Sequence, residues 1–453
     1  MQLNPGIFKK YDLRGTYPKE LTDAMAYEVG RGFAKYVNSK TIMIGYDART
    51  SSPALKESLI KGITDQGVDV IDIGLCSTSC FYFTLAESGL EGGIMVTASH
   101  APKEFNGFKP MLKDATPLTK EQVLDFKKAT LENQSPIIEV TGKITTTDPT
   151  ENYIATIRKS IKEKIKPLKV VMDSGNGTAG LYIDGVFADT GLSVISIFAE
   201  PDGNFPNHET NPRIPENRIK LKERIIQEKA DLGFMFDGDA DRLYVLDRNG
   251  DVIDPSLVLA IISEYLIKKS SKKKVVIEVR TSRVLSDWVK QAGGETIIST
   301  CWTIPIKLEM KANPEVAFGG ETSGHYMFRE MHESDDAVFG ALTFLQAISI
   351  KEEPLDTIVE NFKDHYFVME EKNFKLDDRN KINPVLDSLK ATYSALGGEI
   401  KEIDGLSVIF PDWWFNLRAS ETEPYLRLNF EANSKEVYDN EKLRLIETIE
   451  KLQ

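Results

Sequence analysis

Short apolar runs alternate with segments of helical periodicity through the first two thirds of the chain. Between residues 1 and 148 the pattern predicts three strands and two helices, which are Thr41–Tyr46, Val68–Ile73, Gly93–Val96, Pro53–Gln66 and Phe81–Ser88. Strands and helices in this alternation are typical of a mainly parallel sheet covered by helices. The charged run over residues 8–15, ahead of this pattern, is typical of a solvated N-terminal arm.

The same rhythm begins again near residue 150 and once more after the Asn249-Gly250 turn. The second stretch predicts one helix and three strands, which are Tyr153–Ile165, Lys169–Met172, Ser193–Phe198 and Asp231–Phe236. The third predicts alternating helices and strands, which are Ser256–Lys268, Lys274–Val279, Val284–Ala292 and Thr296–Ser299. Each stretch repeats the strand–helix rhythm of the first.

From about residue 366 the pattern changes to closely spaced strands followed by a terminal amphipathic helix. The predicted elements are Glu399–Ile403, Leu406–Phe410, Trp413–Ala419 and Ser434–Leu452. The chain is therefore expected to form three similar α/β domains, with mainly parallel or mixed sheets, and a C-terminal α+β domain. The expected boundaries are 1–148, 149–250, 251–365 and 366–453.

Composition narrows the class of partner and the compartment. A formal net charge of −13 argues against a nucleic-acid partner, and no window approaches the ~18 apolar residues that span a bilayer. Three cysteines, Cys76, Cys80 and Cys301, cannot form a disulfide framework. We expect Cys76 and Cys80 to be buried thiols and the protein to reside in a reducing cytoplasm.

The first candidate reactive residues follow the strand that contains Ile94–Val96. Ser99 and His100 follow directly, at the strand end where α/β proteins usually place reactive groups. A serine hydrolase is disfavoured because the G-x-S-x-G elbow is absent around Ser99.

Three carboxylates lie at alternate positions after the apolar strand that ends at Phe236. Asp237, Asp239 and Asp241 would repel one another unless a cation neutralised them. A calcium-binding EF-hand is excluded, because its glycine position holds Arg242 and its twelfth position holds Arg248. Oxygen ligands without His or Cys favour Mg²⁺, with Mn²⁺ as an alternative; a solvated acidic turn is the other interpretation.

A dinucleotide-binding fingerprint also occurs in the chain. Gly175, Gly177 and Gly180 fit G-x-G-x-x-G between a strand and a predicted helix, and Glu200 follows about twenty residues later. This pattern keeps a dehydrogenase as an alternative. A structural role is favoured, in which the glycines permit tight strand–helix packing. The strand–helix unit with these glycines does not lie at the start of the chain, and a dinucleotide site does not need the three aspartates that follow further along.

Two further stretches are suited to sugars and phosphates. Residues 319–325 present Glu321, Ser323 and His325 from a predicted flexible loop, although a turn that caps a helix is the alternative. Residues 418–427 place two arginines around a tight turn, and guanidinium groups favour bidentate phosphate contacts.

Together these stretches resemble the α-D-phosphohexomutase family, most closely its phosphomannomutase/phosphoglucomutase branch. The resemblance covers essentially the whole chain, through stretches in the family order, which are residues 11–15, 45–53, 97–100, 201–206, 237–242, 320–325 and 418–427. It implies four domains around a central cleft. In chain order these would carry the phosphoserine, the metal site, the sugar-recognition site and the phosphate-binding site.

The resemblance also implies roles for individual residues. Ser99 would be the phosphoserine, and its phosphate would bind Mg²⁺ together with Asp237, Asp239 and Asp241. The residues implied at the reaction centre are His100, Arg14, Arg242 and, as general acid/base, Lys109. The residues implied to read the sugar are Glu321, Ser323 and His325. Those implied to hold phosphate are Arg418, Ser420, Thr422 and Arg427, and Arg280 stands where the family usually has a cationic lysine.

The implied activity is the interconversion of hexose 1-phosphate and hexose 6-phosphate of mannose or glucose. Phosphoserine would donate to the free hydroxyl, a bound hexose 1,6-bisphosphate would turn around, and its other phosphate would return to Ser99. The bisphosphate would also act as activator. We expect hexose phosphates as substrates, no nucleic-acid or membrane partner, and a monomer or dimer. The alternatives are a phosphoglucosamine-type mutase and a non-catalytic sugar-phosphate-binding relative.

Several positions depart from the family pattern. Trp302-Thr303 replaces a frequent Gly-His pair before Ile306-Lys307, and Glu421 replaces an asparagine in the phosphate stretch. Thr322 and Ala101 are milder changes, from Met and Asn respectively. These departures leave the sugar preference open, whereas Ser99 and the three aspartates are retained.

Overall fold

A computed structural model of the protein describes residues 4–133, 135–420 and 423–452. The chain forms two compact units. The first unit comprises the chain through Ile253 together with Met310–Ala312 and Ser323–Ile350. The second comprises Asp254–Glu309, Asn313–Thr322 and the chain from Lys351 onward.

The N-terminal part of the first unit is a mixed sheet with helices. Its strands are β1 (Leu13–Thr16), β2 (Thr41–Tyr46), β3 (Asp69–Leu75), β4 (Gly92–Val96), β5 (Phe105–Leu112), β6 (Thr116–Pro117) and β7 (Ile144–Thr146). Its helices are α1 (Asp23–Val37), α2 (Ser52–Thr64), α3 (Thr78–Ser88) and α4 (Lys120–Leu131). The strand order is β1-β5-β4-β2-β3-β7, with β6 on β5. Strands β4, β2, β3 and β7 are parallel, and β5 and β1 are antiparallel additions.

The predicted N-terminal arm is wrong over its last residues. Leu13 is buried and opposes Phe108, because β1 pairs with the edge of β5. Local composition could not reveal this pairing, since the partner strand lies more than ninety residues further along the chain. The predicted strands at β2 and β4 are confirmed.

The next part of the first unit is a smaller mixed sheet. Its strands are β8 (Lys169–Asp173), β9 (Ser193–Ile197), β10 (Leu232–Phe236) and β11 (Leu243–Asp247), and its helices are α5 (Thr150–Lys159), α6 (Gly180–Phe187) and α7 (Ile219–Glu228). The order is β11-β10-β8-β9, in which only β11 is antiparallel. Every residue of β10 is buried, so the polar segment after Phe236 leaves the sheet from a rigid, fully covered strand.

The third stretch alternates helices and strands. The helices are α8 (Pro255–Lys269), α9 (Arg283–Gln291), α10 (Thr303–Ala312), α11 (Ala337–Ser349) and α12 (Leu355–His365), and the strands are β12 (Lys274–Glu278), β13 (Glu295–Ser299), β14 (Val316–Glu321), β15 (His325–Phe328) and β16 (Ser334–Asp335). In the second unit β12 lies between β13 and β14, and all three are parallel. In the first unit β15 and β16 are antiparallel. The predicted loop over residues 319–325 is therefore wrong, since a short turn joins two strands there.

The C-terminal part belongs to the second unit and is an α+β fold, as predicted. Its strands are β17 (Phe367–Val368), β18 (Lys372–Lys375), β19 (Glu399–Lys401), β20 (Leu406–Ile409), β21 (Trp413–Ala419) and β22 (Tyr425–Ala432), with helices α13 (Ile382–Ala395) and α14 (Lys435–Leu452). The sheet is antiparallel, in the order β17-β22-β21-β20-β19 with β18 on β22. Phe415, Leu417 and Leu428 pack with both helices in one apolar core.

Cys76, Cys80 and Cys301 are free and buried, which confirms the prediction made for Cys76 and Cys80. Among the residues described, no helix is long and apolar enough to cross a bilayer.

Candidate functional site

Ser99 occupies a constrained loop after β4. Its φ angle of 51° lies in the left-handed region, and its relative exposure is 3%. Its backbone N–H donates to Thr97 Oγ1 at 2.9 Å, which holds the loop against the strand end. The hydroxyl donates to Asp237 Oδ2 at 2.7 Å, and His100 Nδ1 lies 3.2 Å from Ser99 Oγ. Ser99 and His100 therefore lie beside the first of the predicted metal ligands.

A buried arginine that the sequence analysis did not identify fixes this loop. The Arg49 guanidinium donates to the carbonyl oxygens of Ser99, Ala101, Pro102 and Phe105 at 2.6 to 2.9 Å. Asp47 accepts from Arg49 Nε at 3.2 Å and from Thr97 Oγ1 at 2.7 Å. One ion pair thus organises both ends of the serine loop. The sequence signals were a charged Asp-x-Arg directly after the apolar strand β2 and its place in the family-like stretch 45–53, and neither gave Arg49 a role.

The aspartate segment folds back on itself immediately after β10. Asp237 Oδ1 accepts the backbone N–H groups of Asp241 and Arg242, each at 3.1 Å. Ala240 adopts a φ of 56°, which allows the tight turn. A side chain at Gly238 would approach the Ser99 carbonyl oxygen to 3.0 Å, so a glycine there permits the two loops to touch. The spacing of alternate aspartates therefore produces one convergent group.

The carboxylates of Asp237, Asp239 and Asp241 each place an oxygen within 4.8 Å of the others, and all three are buried. Burial and the charges of Asp241 and Asp239 raise the pKa of Asp237 well above its ordinary value. Burial acts in the same direction on Asp241, but Lys109 lowers the pKa of that carboxyl below its ordinary value. Because these buried carboxylates crowd one another, a positive charge among the three would stabilise their ionised forms.

Lys109 supplies part of that charge from β5. Its ammonium lies 2.7 Å from Asp239 Oδ2 and 2.6 Å from Asp241 Oδ2. Burial alone would lower the pKa of Lys109, but Asp239 and Asp241 raise it well above its ordinary value. The side chain is therefore held as an ammonium ion at the carboxylate group.

The three aspartates fit a hard divalent cation. Asp239 Oδ1 and Asp241 Oδ1 are buried and, among the described residues, accept no hydrogen bond. Thr78 Oγ1 donates to the other Asp239 oxygen at 2.5 Å and so orients the free one. Two buried carboxylate oxygens that accept no hydrogen bond from the described residues, beside a third carboxylate, are the donor set that Mg²⁺ or Mn²⁺ takes.

The remaining residues expected at the reaction centre lie around this group. Arg242 Nε is 3.8 Å from Asp237 Oδ2. Burial, followed by the charges of Arg242 and Arg14, lowers the pKa of His100 well below its ordinary value. Arg14 is itself paired with Asp12 at 2.8 Å. The structure therefore brings Arg14, Lys109 and Arg242 together around Ser99.

His325 was expected to read the sugar, and it lies beside the three aspartates. In the first unit its Nδ1 is 2.8 Å from Asp335 Oδ2 and 3.7 Å from Asp241 Oδ1. Asp335 was not identified from the sequence. Ser323 is a buried residue of the turn before β15.

The second unit contains an arginine cluster centred on one carboxylate. Glu371 lies 2.9 Å from Arg418 Nη2, 3.8 Å from Arg427 Nη1 and 3.9 Å from Arg280 Nη1. The Nε atoms of Arg418 and Arg427 are buried and have no hydrogen-bond partner within the described part of the chain. The carbonyl of Ser420 accepts from Arg379 at 3.3 Å. Three guanidinium groups on one carboxylate form a site suited to an anion, and Glu371 was missed because it carries no motif.

Glu321 also lies in the second unit, at the end of β14. Its carboxylate accepts the backbone N–H of Trp302 at 3.1 Å. Nearby, Glu278 accepts from Arg280 at 2.5 and 2.8 Å and from the Thr322 hydroxyl at 2.6 Å. Thr422 and Glu421 lie outside the described residues.

The dinucleotide-like stretch packs against the aspartate loop. A side chain on Gly177 would approach the Gly238 carbonyl oxygen to 2.6 Å, and one on Gly180 would approach the Ala199 carbonyl oxygen to 1.9 Å. Thr178 N–H donates to the same Gly238 oxygen at 3.0 Å. These contacts account for two of the glycines by close backbone packing and support the structural interpretation.

Four family models match the chain in succession. They describe phosphoglucomutase/phosphomannomutase alpha/beta/alpha domain I over residues 5–135, domain II over 151–250, domain III over 254–366, and the C-terminal domain over 371–447.

Curated relatives and solved structures agree with these matches. A phosphomannomutase of Escherichia coli K12 is 34% identical over 436 residues, covering 94% of each chain. A phosphoglucomutase of Neisseria gonorrhoeae is 34% identical over 434 residues, covering 95% of this chain and 93% of its own. A crystal structure of a phosphoglucomutase/phosphomannomutase family protein from Burkholderia thailandensis aligns with a TM-score of 0.89 at 29% identity, covering 100% of this chain and 98% of its own.

Proposed function

The chain belongs to the phosphoglucomutase/phosphomannomutase family, and we propose that it is a phosphohexomutase that uses Ser99 as its phosphoryl carrier. It interconverts the 1-phosphates and 6-phosphates of glucose, mannose or both. The observation that carries this proposal is the contact of Ser99 Oγ with Asp237, inside a buried group of three carboxylates suited to a divalent cation.

Asp237, Asp239 and Asp241 would hold Mg²⁺ in this proposal. When bound, the ion supplies positive charge to a phosphoserine that itself carries about −1.5 to −2 charges. Arg242 and Arg14 add positive charge beside Ser99, because phosphoryl transfer depends mainly on positioning and charge neutralisation.

The proposed phosphoryl transfer takes place in two half-reactions. In the first, the bond between phosphorus and the Ser99 oxygen breaks and a bond to the free sugar hydroxyl forms, so the serine gains a proton and the hydroxyl loses one. Lys109 is our candidate for this exchange, because its ammonium lies at the same carboxylate group that Ser99 contacts. In the second half, the other phosphate of the hexose 1,6-bisphosphate returns to Ser99 by the reverse chemistry.

The second unit supplies anion and sugar recognition in this proposal. Arg280, Arg418 and Arg427 bind the phosphate that is not transferred, with help from the hydroxyl groups of Ser420 and Thr422. Glu321, Ser323 and His325 are the residues proposed to read sugar hydroxyls. The free bisphosphate acts as activator by restoring a lost phosphoserine. The four functional domains, the monomeric or dimeric state and the cytoplasmic location stay predictions.

The test is an interconversion assay with Mg²⁺ and a trace of glucose 1,6-bisphosphate. The wild-type protein should convert glucose 1-phosphate or mannose 1-phosphate to its 6-phosphate, and Ser99→Ala should lose ~10³-fold or more in kcat. Turnover of glucosamine 1-phosphate alone would reassign the sugar. Absence of turnover with all hexose and hexosamine phosphates would favour a non-catalytic sugar-phosphate-binding protein.

A further inference from the structure

Trp302 adopts a backbone conformation that only glycine populates readily. Its φ is 93° and its ψ is 143°. The other described non-glycine residues with positive φ lie between 48° and 58°, in the left-handed well that ordinary residues tolerate. Trp302 lies outside that well, so the fold holds a bulky residue in a strained conformation.

The same residue breaks two further local rules. It is the N-cap of α10, where Ser, Thr, Asp and Asn are favoured because their side-chain oxygens accept a hydrogen bond, and an indole has no such oxygen. Its relative exposure is 49%, so a bulky aromatic residue lies half-exposed in this strained conformation. Residues held in such sparsely populated conformations cluster at functional sites.

Two hydrogen bonds hold the strained segment in place. Trp302 N–H donates to Glu321 Oε2 at 3.1 Å, and Cys301 N–H donates to Asp404 Oδ2 at 3.0 Å. Glu321 lies near enough to Arg280 for its charge to act on the guanidinium. Within the second unit, the backbone of Trp302 is therefore anchored to the carboxylate assigned to sugar recognition, and that carboxylate lies near Arg280 of the arginine cluster.

We propose that Trp302 is a substrate-binding residue whose indole face packs against the C–H face of the hexose ring. This inference rests on the proposed function and names a contact that accepts the sugar in both of its orientations. A directional hydrogen bond must find a new partner after the bisphosphate turns around. An apolar ring contact is non-directional, so one aromatic surface serves both half-reactions.

The first test compares full-length Trp302→Gly and Trp302→Phe with the wild type. Trp302→Gly should raise KM by ~10-fold for both glucose 1-phosphate and glucose 6-phosphate, and kcat should fall by less than KM rises. Trp302→Phe retains an aromatic face and should stay within ~3-fold of the wild-type KM. Relief of the backbone strain should raise the thermal midpoint of Trp302→Gly by ~2–4 °C. An unchanged KM, or a change for one substrate only, would overturn the proposal.

Tryptophan fluorescence separates this inference from the catalytic assignment. Glucose 6-phosphate should alter the emission of the wild type and of the control variant Trp288→Phe. In the wild type, Trp288 lies on α9 with its ring under the Lys351 ammonium. Trp302→Phe should lose that response. If the wild type does not interconvert sugar phosphates, the mutase assignment is wrong. The binding role of Trp302 is still supported if Trp302→Phe is the only variant that loses the fluorescence response to glucose 6-phosphate. A response that persists in Trp302→Phe contradicts it.

Discussion

At the scale of single residues, the candidate site depends on buried charges that hold backbone in place. Arg49 is fully buried, and four carbonyl oxygens of the serine loop converge on its guanidinium. Phe205 lies beneath the guanidinium, 5.5 Å from ring centre to Cζ. Arg49 is therefore a positioning residue for Ser99.

Arg49→Lys should lower both activity and stability. A lysine ammonium has three donors on a flexible stem and cannot span four carbonyl oxygens and Asp47. We expect a loss of about 3 kcal/mol in the free energy of unfolding, measured in urea, and a fall of ~10²-fold in kcat. Arg444→Lys, on the exposed face of α14, is the matched control and should change neither quantity. Wild-type kcat in Arg49→Lys would refute the positioning role.

Glu371 acts as an internal counterion for the arginine cluster. Its pKa is lowered because Arg418, Arg280 and Arg427 outweigh the effect of its burial. Glu371→Gln keeps the shape of the side chain and removes its charge. We expect inorganic phosphate to bind several-fold more tightly by calorimetry, while the unliganded protein loses about 1 kcal/mol of stability through repulsion among the arginines. Weaker phosphate binding would show that Glu371 mainly orients the arginines.

At the scale of residues, the sequence predicted those functional groups whose members are close neighbours along the chain. The convergence of Asp237, Asp239 and Asp241 follows from their spacing and the small residues between them. The contact of Ser99 with Asp237 joins positions 138 residues apart, and that of Arg418 with Glu371 joins positions 47 apart. Spacing cannot reveal such contacts, and the family resemblance implied the first and omitted the second.

At the scale of elements, strands with continuous apolar runs were predictable and helix ends were less so. Helix α5 was predicted to reach Ile165 but ends at Lys159. The N–H groups of Lys162 and Glu163 donate to Gln346 Oε1 on α11, at 2.8 and 3.3 Å, in place of helical carbonyls. The periodicity of the sequence continues past Lys159, whereas the hydrogen bonds that end the helix come from a distant element.

One packing arrangement between elements predicts a pH dependence. Glu431 on β22 accepts the backbone N–H of Arg283 at the start of α9, at 3.2 Å. Its burial raises its pKa to about 7, and the nearby polar groups of Ser282, Trp414 and Arg283 only partly oppose that rise. Since the folded pKa exceeds the unfolded one, the contribution to stability is complete below the ordinary Glu pKa. It is lost as pH rises through about 7.

Glu431→Gln should therefore be nearly neutral at pH ~5 and stabilising by about 3 kcal/mol at pH ~8. Urea unfolding followed by tryptophan emission reports on the second unit, whose sheet contains Trp413 and Trp414. The exposed Glu399→Gln is the control and should show no such pH dependence. Equal stability of Glu431→Gln and the wild type at both pH values would contradict the raised pKa.

At the scale of the whole molecule, the assigned residues are spread from Arg14 to Arg427 and across both compact units. The alternation of strands and helices, followed by the change to an antiparallel sheet, predicted the fold class from local pattern. The activity was predicted from the order of the motifs along the chain, and four family models match the chain in the same order. Neither pattern fixes the sugar, because residue 421 departs from the family pattern inside the phosphate stretch and residues 302–303 depart from it before Ile306-Lys307.

Intact-mass measurement tests most directly whether Ser99 carries the phosphoryl group. The purified protein is incubated with Mg²⁺ and glucose 1,6-bisphosphate, and its mass is compared with that of Ser99→Ala treated in the same way. We predict that the wild type gains the mass of one phosphoryl group, that excess glucose 6-phosphate removes it again, and that Ser99→Ala never gains it. An unmodified wild type, or the same gain in Ser99→Ala, would contradict the assignment of Ser99 as the carrier.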